Sequence, residues 1–266
     1  MKTHFTPTSN AQRFLAAIAA LKQRGATEAS WVLLTGKPGL GKTELIEWWS
    51  LHHGAIYLRA KATWTARAVL LELAEKLGIA PARSKNDLFR QVLTALVHNP
   101  LPIAVDEIEH SLRDASVLEV FRDLSDLTEI PIVIVGMDAV RTKIQRHEQI
   151  SSRIHQVVDF FPATLEDIRQ MAESLVELPL TWADDLIAKI SRESEGRHRL
   201  VMDALAAIER EAKRSHMTHV SAADFPQSLT HDWRLRTPRR AKAESTAKPE
   251  PTERSRRPAQ PEGAPA

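Results

Sequence analysis

The chain has 266 residues, 43% of them hydrophobic and 26% charged, with a formal net charge of +2, the proportions of an ordinary globular protein with one sizeable core and room for a smaller second one. Without a single cysteine it has no disulfide, thiolate metal site or catalytic thiol. Its eleven histidines form no H-x-x-x-H pair, its first residues carry no apolar leader-like run, and no stretch approaches the ~20 apolar residues of a membrane span. The expected setting is therefore cytoplasmic, with no membrane partner.

Charge is unevenly placed. From Arg234 onward nine basic residues face four acidic ones, which leaves the rest of the chain mildly acidic. Nucleic-acid binding cannot be argued from bulk charge; it needs a local basic surface, the tail, or both.

In chain order, Ser9 and Asn10 are expected to cap a helix with Phe14, Ala17, Ile18 and Leu21 on its apolar face, running to Gly25. Residues 31–35 read as a buried strand, 44–50 as a helix and 54–58 as a second strand. Helical spacing follows over 65–77, stopping at Gly78, and again after Asn86, which is expected to cap it. Residues 101–107 form an apolar strand ending in Asp106 and Glu107. A helix with Val117, Leu118, Phe121 and Leu124 inward leads to a fourth strand over 130–136, and 155–160 is a short fifth. Apolar strands alternating with amphipathic helices specify an α/β fold, a parallel sheet covered on both faces. After Pro162 the pattern turns wholly helical, near 165–176, 181–194 and 198–214, with a last turn over 221–225. From about Thr230 periodicity is lost and Pro, Ala, Arg and Glu dominate. The expected organisation is thus an α/β domain over 1–162, a helical lid over 163–229, and a disordered basic tail over 230–266.

The stretch around which the chain is organised is Gly36-Lys37-Pro38-Gly39-Leu40-Gly41-Lys42-Thr43. It fits G-x-x-x-x-G-K-[ST] at every fixed position, and it lies between a strand and a helix, the context the motif requires. Such a loop turns several backbone N–H groups toward a phosphate, and the helix N-terminus adds partial positive charge. Lys42 would reach the β- and γ-phosphates, and the Thr43 hydroxyl would ligate Mg²⁺. A nucleoside triphosphate is implied. Asp106 and Glu107, at the carboxyl end of an apolar strand, are placed to hold Mg²⁺ and to orient or deprotonate the attacking water, respectively. Trp48 and Trp49 are assigned to packing.

Four segments come in the order found in AAA+ ATPases, which the chain resembles: the phosphate loop, Val105-Asp106-Glu107, Ser151-Ser152-Arg153, and Glu195-Gly196-Arg197-His198-Arg199. Gly39-Leu40-Gly41-Lys42-Thr43-Glu44 and Arg59-Ala60-Lys61-Ala62-Thr63-Trp64-Thr65 look similar to one branch, the phage Mu B transposition protein and its TnsC-like relatives. The resemblance covers roughly residues 10–215 and implies an AAA+ P-loop NTPase fold, a five-stranded parallel sheet with a small C-terminal helical lid.

It further implies ATP and Mg²⁺ as cofactors, with residues 36–44 around the nucleotide. Arg153 matches the arginine finger, with Arg146 as the alternative; a planar, always-charged fork suits phosphate oxygens. Arg199, or Arg197 in the adjoining register, matches the lid arginine that reaches the nucleotide. The resemblance departs after the fourth strand, where relatives often carry Asn and this chain reads Gly136-Met137-Asp138; Asp138 is either a water-positioning group or a helix cap. Arg59, Lys61, Thr63 and Arg67 would neutralise or hydrogen-bond the phosphates of duplex DNA without reading its sequence, unless Trp64 and its neighbours are simply core and solvated surface.

The function so implied is ATP-dependent assembly into a ring or helical filament on duplex DNA, which is delivered to an integrase-type transposase in a bacterial or phage-infected cytoplasm. Slow ATP hydrolysis would time its release. The alternatives are an AAA+ loader or initiator of DNA replication, an ATPase of the secretion-accessory kind, and a nucleotide-binding scaffold without useful hydrolysis.

Overall fold

The computed structural model describes residues 1–2 and 5–230; the basic tail expected from residue 230 therefore lies, from residue 231 on, outside the described residues. The chain forms α1 (Ser9–Leu21), β1 (Trp31–Thr35), α2 (Lys42–His53), β2 (Ile56–Arg59), α3 (Ala66–Lys76), α4 (Lys85–His98) and β3 (Ile103–Asp106). A 3-10 turn (Ile108–His110) leads to α5 (Ala115–Thr128), β4 (Ile132–Val135), α6 (Ala139–Gln145), α7 (Glu148–Ser151) and β5 (Ile154–Asp159). The C-terminal part holds α8 (Leu165–Leu175), β6 (Thr181–Trp182), α9 (Asp184–Ser194), α10 (His198–Arg214) and β7 (His219–Val220).

The five longer strands make one parallel sheet in the order β2-β3-β4-β1-β5. β1, β3 and β4 are buried along their whole length, because a central parallel strand packs helices on both faces and so must be apolar on both. Alternate side chains go to opposite faces. Trp31, Leu33, Ile103, Val105, Ile132 and Ile134 meet α3, α4 and α5 on one face, whereas Val32, Leu34, Ala104, Val133 and Val135 meet α1 and α2 on the other. A third apolar cluster, with Ile168, Met171, Leu186, Ile190, Val201 and Leu205 at its centre, belongs to α8, α9 and α10.

The structure corrects three expectations. Thr8, not Ser9 or Asn10, caps α1, and the helix stops at Leu21 rather than Gly25. Ser9 is engaged elsewhere: its N–H and hydroxyl both donate to Asp167 of α8, at 2.6 and 2.8 Å, while Asn10 pairs with the Phe161 backbone. Ser84 caps α4, since its hydroxyl precedes the first turn and accepts the Asp87 N–H, whereas Asn86 lies inside the helix. Residues 181–182 are not helical; Thr181 and Trp182 pair in parallel with His219 and Val220, so α9 begins only at Asp184. Trp49 is buried as expected, and Trp48 stacks on Phe5 with ring centroids 3.6 Å apart. Among the described residues no helix is long and apolar enough to cross a membrane.

Candidate functional site

The phosphate loop leaves β1 at its carboxyl end and closes into α2 through Gly41, the helix N-cap, at φ 87°. That left-handed conformation and the His198 ring, 3.1 Å from where a Cβ would stand, both require glycine here. Lys42 folds back over the loop, its Nζ donating to the carbonyls of Gly36 at 2.6 Å and Lys37 at 2.9 Å. Burial lowers its pKa below the usual lysine value, against the opposing pull of Glu109, Asp138 and Asp106. The ammonium is thus partly stripped of water and held by weak, exchangeable carbonyl partners, the condition in which phosphate oxygens would be preferred.

Asp106 ends β3, 2% exposed, accepting the Tyr57 hydroxyl at 3.2 Å and the Glu107 N–H at 2.8 Å. Burial, then the neighbouring Asp106 charge, raises Tyr57 well above the ordinary phenol range, so it stays a donor. Glu107 leaves the strand in the left-handed region at φ 54°, a costly conformation for a residue with a Cβ and one that recurs at functional sites. Its carboxylate is gripped by Arg59 from the end of β2: Nε donates to Oε2 at 3.0 Å, and a terminal nitrogen pairs with Oε1. His110 Nε2 stands 3.7 Å from the same Oε2. The Arg59 hydrogen bond holds Glu107 below the usual carboxylate range, despite partial burial.

Loop residues 38–39 and 41–44, with Asp106, Glu107 and Arg199, line one cleft of about 660 Å³. Gly36 and Lys37 contribute through their carbonyls, and Leu40 turns its side chain into the core. From the C-terminal helices, the Arg199 N–H meets the Gly39 carbonyl at 3.4 Å, and His198 Nδ1 lies 3.3 Å from Glu44 Oε2. Burial lowers the His198 pKa against the pull of Glu44. Arg197 is paired with Glu195. A small recess of about 40 Å³, with Phe5, Leu40, Phe160 and Leu175 beside Thr6, Asn10 and His198 in its lining, adjoins the loop at Gly41.

Thr43 and Asp106 supply a hydroxyl and a carboxylate, an oxygen-only donor set of the kind Mg²⁺ takes. Among the described residues no group of three or more His, Asp or Glu side chains converges as a metal cage. A cation here would be completed by phosphate oxygens and water, as Mg²⁺ commonly is, and the residues present fit it.

Arg153 is far from this cleft. It precedes β5, and its carbonyl accepts the Trp31 N–H at the opposite end of β1 from the phosphate loop. Its guanidinium forks onto Asp126 of α5, at 3.2 and 2.8 Å. Arg146, the alternative, is exposed beyond α6. Asp138 stands at the N-cap position of α6 but makes no capping bond; it is exposed, one residue beyond the cleft-lining Met137. Of the expected DNA contacts, Arg59 is taken up by Glu107, Lys61 pairs with Glu72, and Arg67 donates to the Arg83 carbonyl at 3.1 Å. Thr63 is exposed, whereas Trp64 is 4% exposed and bonds Glu72, so it is core rather than a stacking surface.

Sequence reasoning missed Glu109 and His198. Glu109 had a signal, a third carboxylate two residues beyond Asp106-Glu107; His198 had none beyond lying next to Arg199.

A five-stranded parallel sheet flanked by helices, with a phosphate loop after its first strand, is the fold of AAA+ P-loop NTPases. Residues 24–144 match the family model of an AAA domain. The structure is similar to that of the ORC1 protein of Aeropyrum pernix in complex with DNA (TM-score 0.58, 18% identity, covering 84% of this chain and 64% of that one). It is likewise similar to Cdc6p from Pyrobaculum aerophilum (TM-score 0.59, 18% identity, 84% and 68%). At that identity the likeness establishes the fold alone, and the chain spans less than two thirds of the ORC1 chain. No curated protein matches the chain in sequence. These likenesses lend no support to the narrower resemblance to the Mu B branch.

Proposed function

We propose that the chain is an ATP-hydrolysing AAA+ switch whose nucleotide site is coupled to duplex DNA, with loading or initiation in DNA replication as its setting. The observation that carries the coupling is the Arg59–Glu107 ion pair. Arg59 is the first basic residue of the segment that also holds Lys61 and Arg67, and it grips the carboxylate placed to activate water.

In this reading Lys42 turns from the Gly36 and Lys37 carbonyls to the β- and γ-phosphates, and Arg199 reaches the nucleotide from the helical lid. The recess beside Gly41 opens to take the base. Mg²⁺, held by Thr43 and Asp106, would neutralise phosphate charge. Glu107 accepts a proton from water as the water oxygen bonds to the γ-phosphorus and the bond to the β-phosphate oxygen breaks. While Arg59 grips it, Glu107 is a weaker base, since basicity falls with pKa. A DNA phosphate competing for Arg59 would free it, so DNA would raise turnover.

The test is steady-state ATP turnover with and without a random-sequence duplex at two salt concentrations. The reading expects salt-sensitive stimulation, loss of turnover in Lys42→Ala, and loss of stimulation in Arg59→Ala. Turnover indifferent to DNA in the unaltered chain would overturn the coupling, and turnover surviving Lys42→Ala would overturn the site. A second reading, delivery of target DNA to a transposase, is favoured by the Gly39–Glu44 and Arg59–Thr65 segments. It requires an ATP-dependent filament on duplex DNA, visible by electron microscopy.

A further inference from the structure

β1 and β3 are not neighbours in the sheet, because β4 runs between them. With strands about 4.8 Å apart, the phosphate loop and Asp106 stand on strands about 10 Å apart. The end of β4 lies under that gap and presents Gly136, which has no side chain to fill it. Met137 and Asp138, which follow, are exposed.

Glu109 occupies the space instead. The left-handed turn at Glu107 and the 3-10 turn Ile108–His110 bring Glu109 back to the cleft wall, beside Asp106 and Gly136. A Cβ added at Gly136 would come 2.8 Å from Glu109 Oε2 and 2.5 Å from Val140 Cγ2, so only glycine leaves the carboxylate this position. Oε2 is sealed from solvent, yet it accepts no hydrogen bond among the described residues. The neighbouring carboxylates are satisfied, Asp106 by Tyr57 and the Glu107 N–H, Glu107 by Arg59. A buried carboxylate oxygen without a donor is costly and therefore rare. At a cleft wall its donor can arrive with a ligand.

We propose that Glu109 is a positioning residue of the hydrolytic site, its carboxylate turning at the cleft wall to accept a hydrogen bond from water that a bound Mg²⁺ would carry. Glu109 is not itself a metal ligand in this scheme. The proposal rests on the ATPase reading but predicts a binding effect as well as a kinetic one. A carboxylate serving only as counter-charge to Lys42 would alter ATP affinity equally with and without Mg²⁺, whereas one that orders cation-bound water acts only when Mg²⁺ is present.

The test compares the unaltered chain with Glu109→Gln, which keeps the shape and removes the charge, and with Gly136→Ala, which pushes Glu109 out of place. ATP binding is titrated with Mg²⁺ and with EDTA, turnover is measured beside it, and thermal unfolding reports structure. For Glu109→Gln the Mg²⁺ midpoint should rise, and kcat fall, by about ten- to a hundredfold, the range seen when partners of bound water are lost. Metal-free ATP affinity should stay nearly unchanged while KM for Mg²⁺–ATP rises in step with the Mg²⁺ midpoint, and Tm should not fall, since the charge on an oxygen without a hydrogen-bond partner has been removed. Gly136→Ala should reproduce the Mg²⁺ effect. Equal affinity changes in both ATP forms, or an unaltered Mg²⁺ midpoint in Glu109→Gln, would overturn the proposal. If the unaltered chain bound Mg²⁺–ATP without hydrolysing it, the ATPase reading would fail, while the Mg²⁺ titration would still decide the role of Glu109.

Discussion

Arg59 and Glu107 face each other across β2 and β3, joined by two hydrogen bonds between a fork and a carboxylate. Paired strand ends bring them together, since Arg59 lies in register with Asp106, the residue just before Glu107. Both side chains are partly exposed, at 58% and 32%, so the pair adds little to stability. Its effect falls on Glu107, whose pKa it lowers. Arg59→Ala should therefore leave Tm unchanged and raise DNA-free turnover several-fold. A group with a depressed pKa stays charged to lower pH, so the acid limb of kcat should move up in the variant, toward the ordinary glutamate value of about 4.3. A pH profile of turnover for both proteins checks the sign; an unmoved limb would remove Arg59 from the site's chemistry.

Gly41 and His198 make a second contact with consequences for the nucleotide. Gly41→Ala places a Cβ 3.1 Å from the His198 ring and forces alanine to φ 87°. The left-handed backbone alone costs about 1–2 kcal/mol, which in a chain of this size lowers Tm by about 2–8 °C. ATP affinity should fall more than stability does, because the strain sits where the loop closes. The double variant Gly41→Ala, His198→Ala should recover only the part due to the ring. Full recovery of Tm in the double variant would show that backbone strain contributes nothing.

The phosphate loop, the buried strands and the acidic end of β3 were legible because each is written locally, in a motif or in apolar runs whose period fixes burial. The C-terminal helices were legible for the same reason. What depends on distant partners was not. Ser9 looked like a helix cap until Asp167, far along the chain, drew it away, and Thr181-Trp182 read as helix because its strand partner lies at His219-Val220. Arg59 looked like a free DNA contact for the same cause: its partner stands on a neighbouring strand. The emptiness of Gly136, and with it the place of Glu109, depends on a strand order that no local pattern states.

Asp167 ties α8 to the first residue of α1, accepting from Ser9 at 2.6 and 2.8 Å and from the Thr164 N–H at 2.9 Å. Burial works against its charge, but the Ser9 and Thr164 hydrogen bonds outweigh it and leave its pKa lowered. Asp167→Ala, which leaves those donors unpaired, should cost about 1–3 kcal/mol at neutral pH. Because the folded pKa is depressed, this contribution is complete above the unfolded value of about 3.9 and is lost as pH falls through the folded value. Urea unfolding at a series of pH values should therefore show the gap between the two proteins closing only in acid. A gap constant down to the acid limit would mean that packing, not the charge, holds this joint.

Arg153 cannot serve its own cleft. It stands at the amino end of β5, and β1 alone puts about 13 Å of strand between that edge and the phosphate loop. If it acts on a nucleotide, it acts on that of a neighbouring subunit, leaving Asp126 to do so. Arg153→Ala and Glu107→Gln would each then be inactive alone, the first lacking the finger and the second the base. Mixed together with ATP and DNA, they should regain turnover, since some interfaces pair an intact Arg153 from the Glu107→Gln chain with an intact Glu107 from the other. With two chain types at equal amounts and random assembly, about a quarter of interfaces carry both groups, which bounds the recovery. Asp126→Asn, which loosens the resting grip on Arg153, should increase ATP-dependent association, measured by light scattering. Absence of any complementation, with both variants shown to associate, would remove Arg153 from the catalytic interface and turn attention to Arg146.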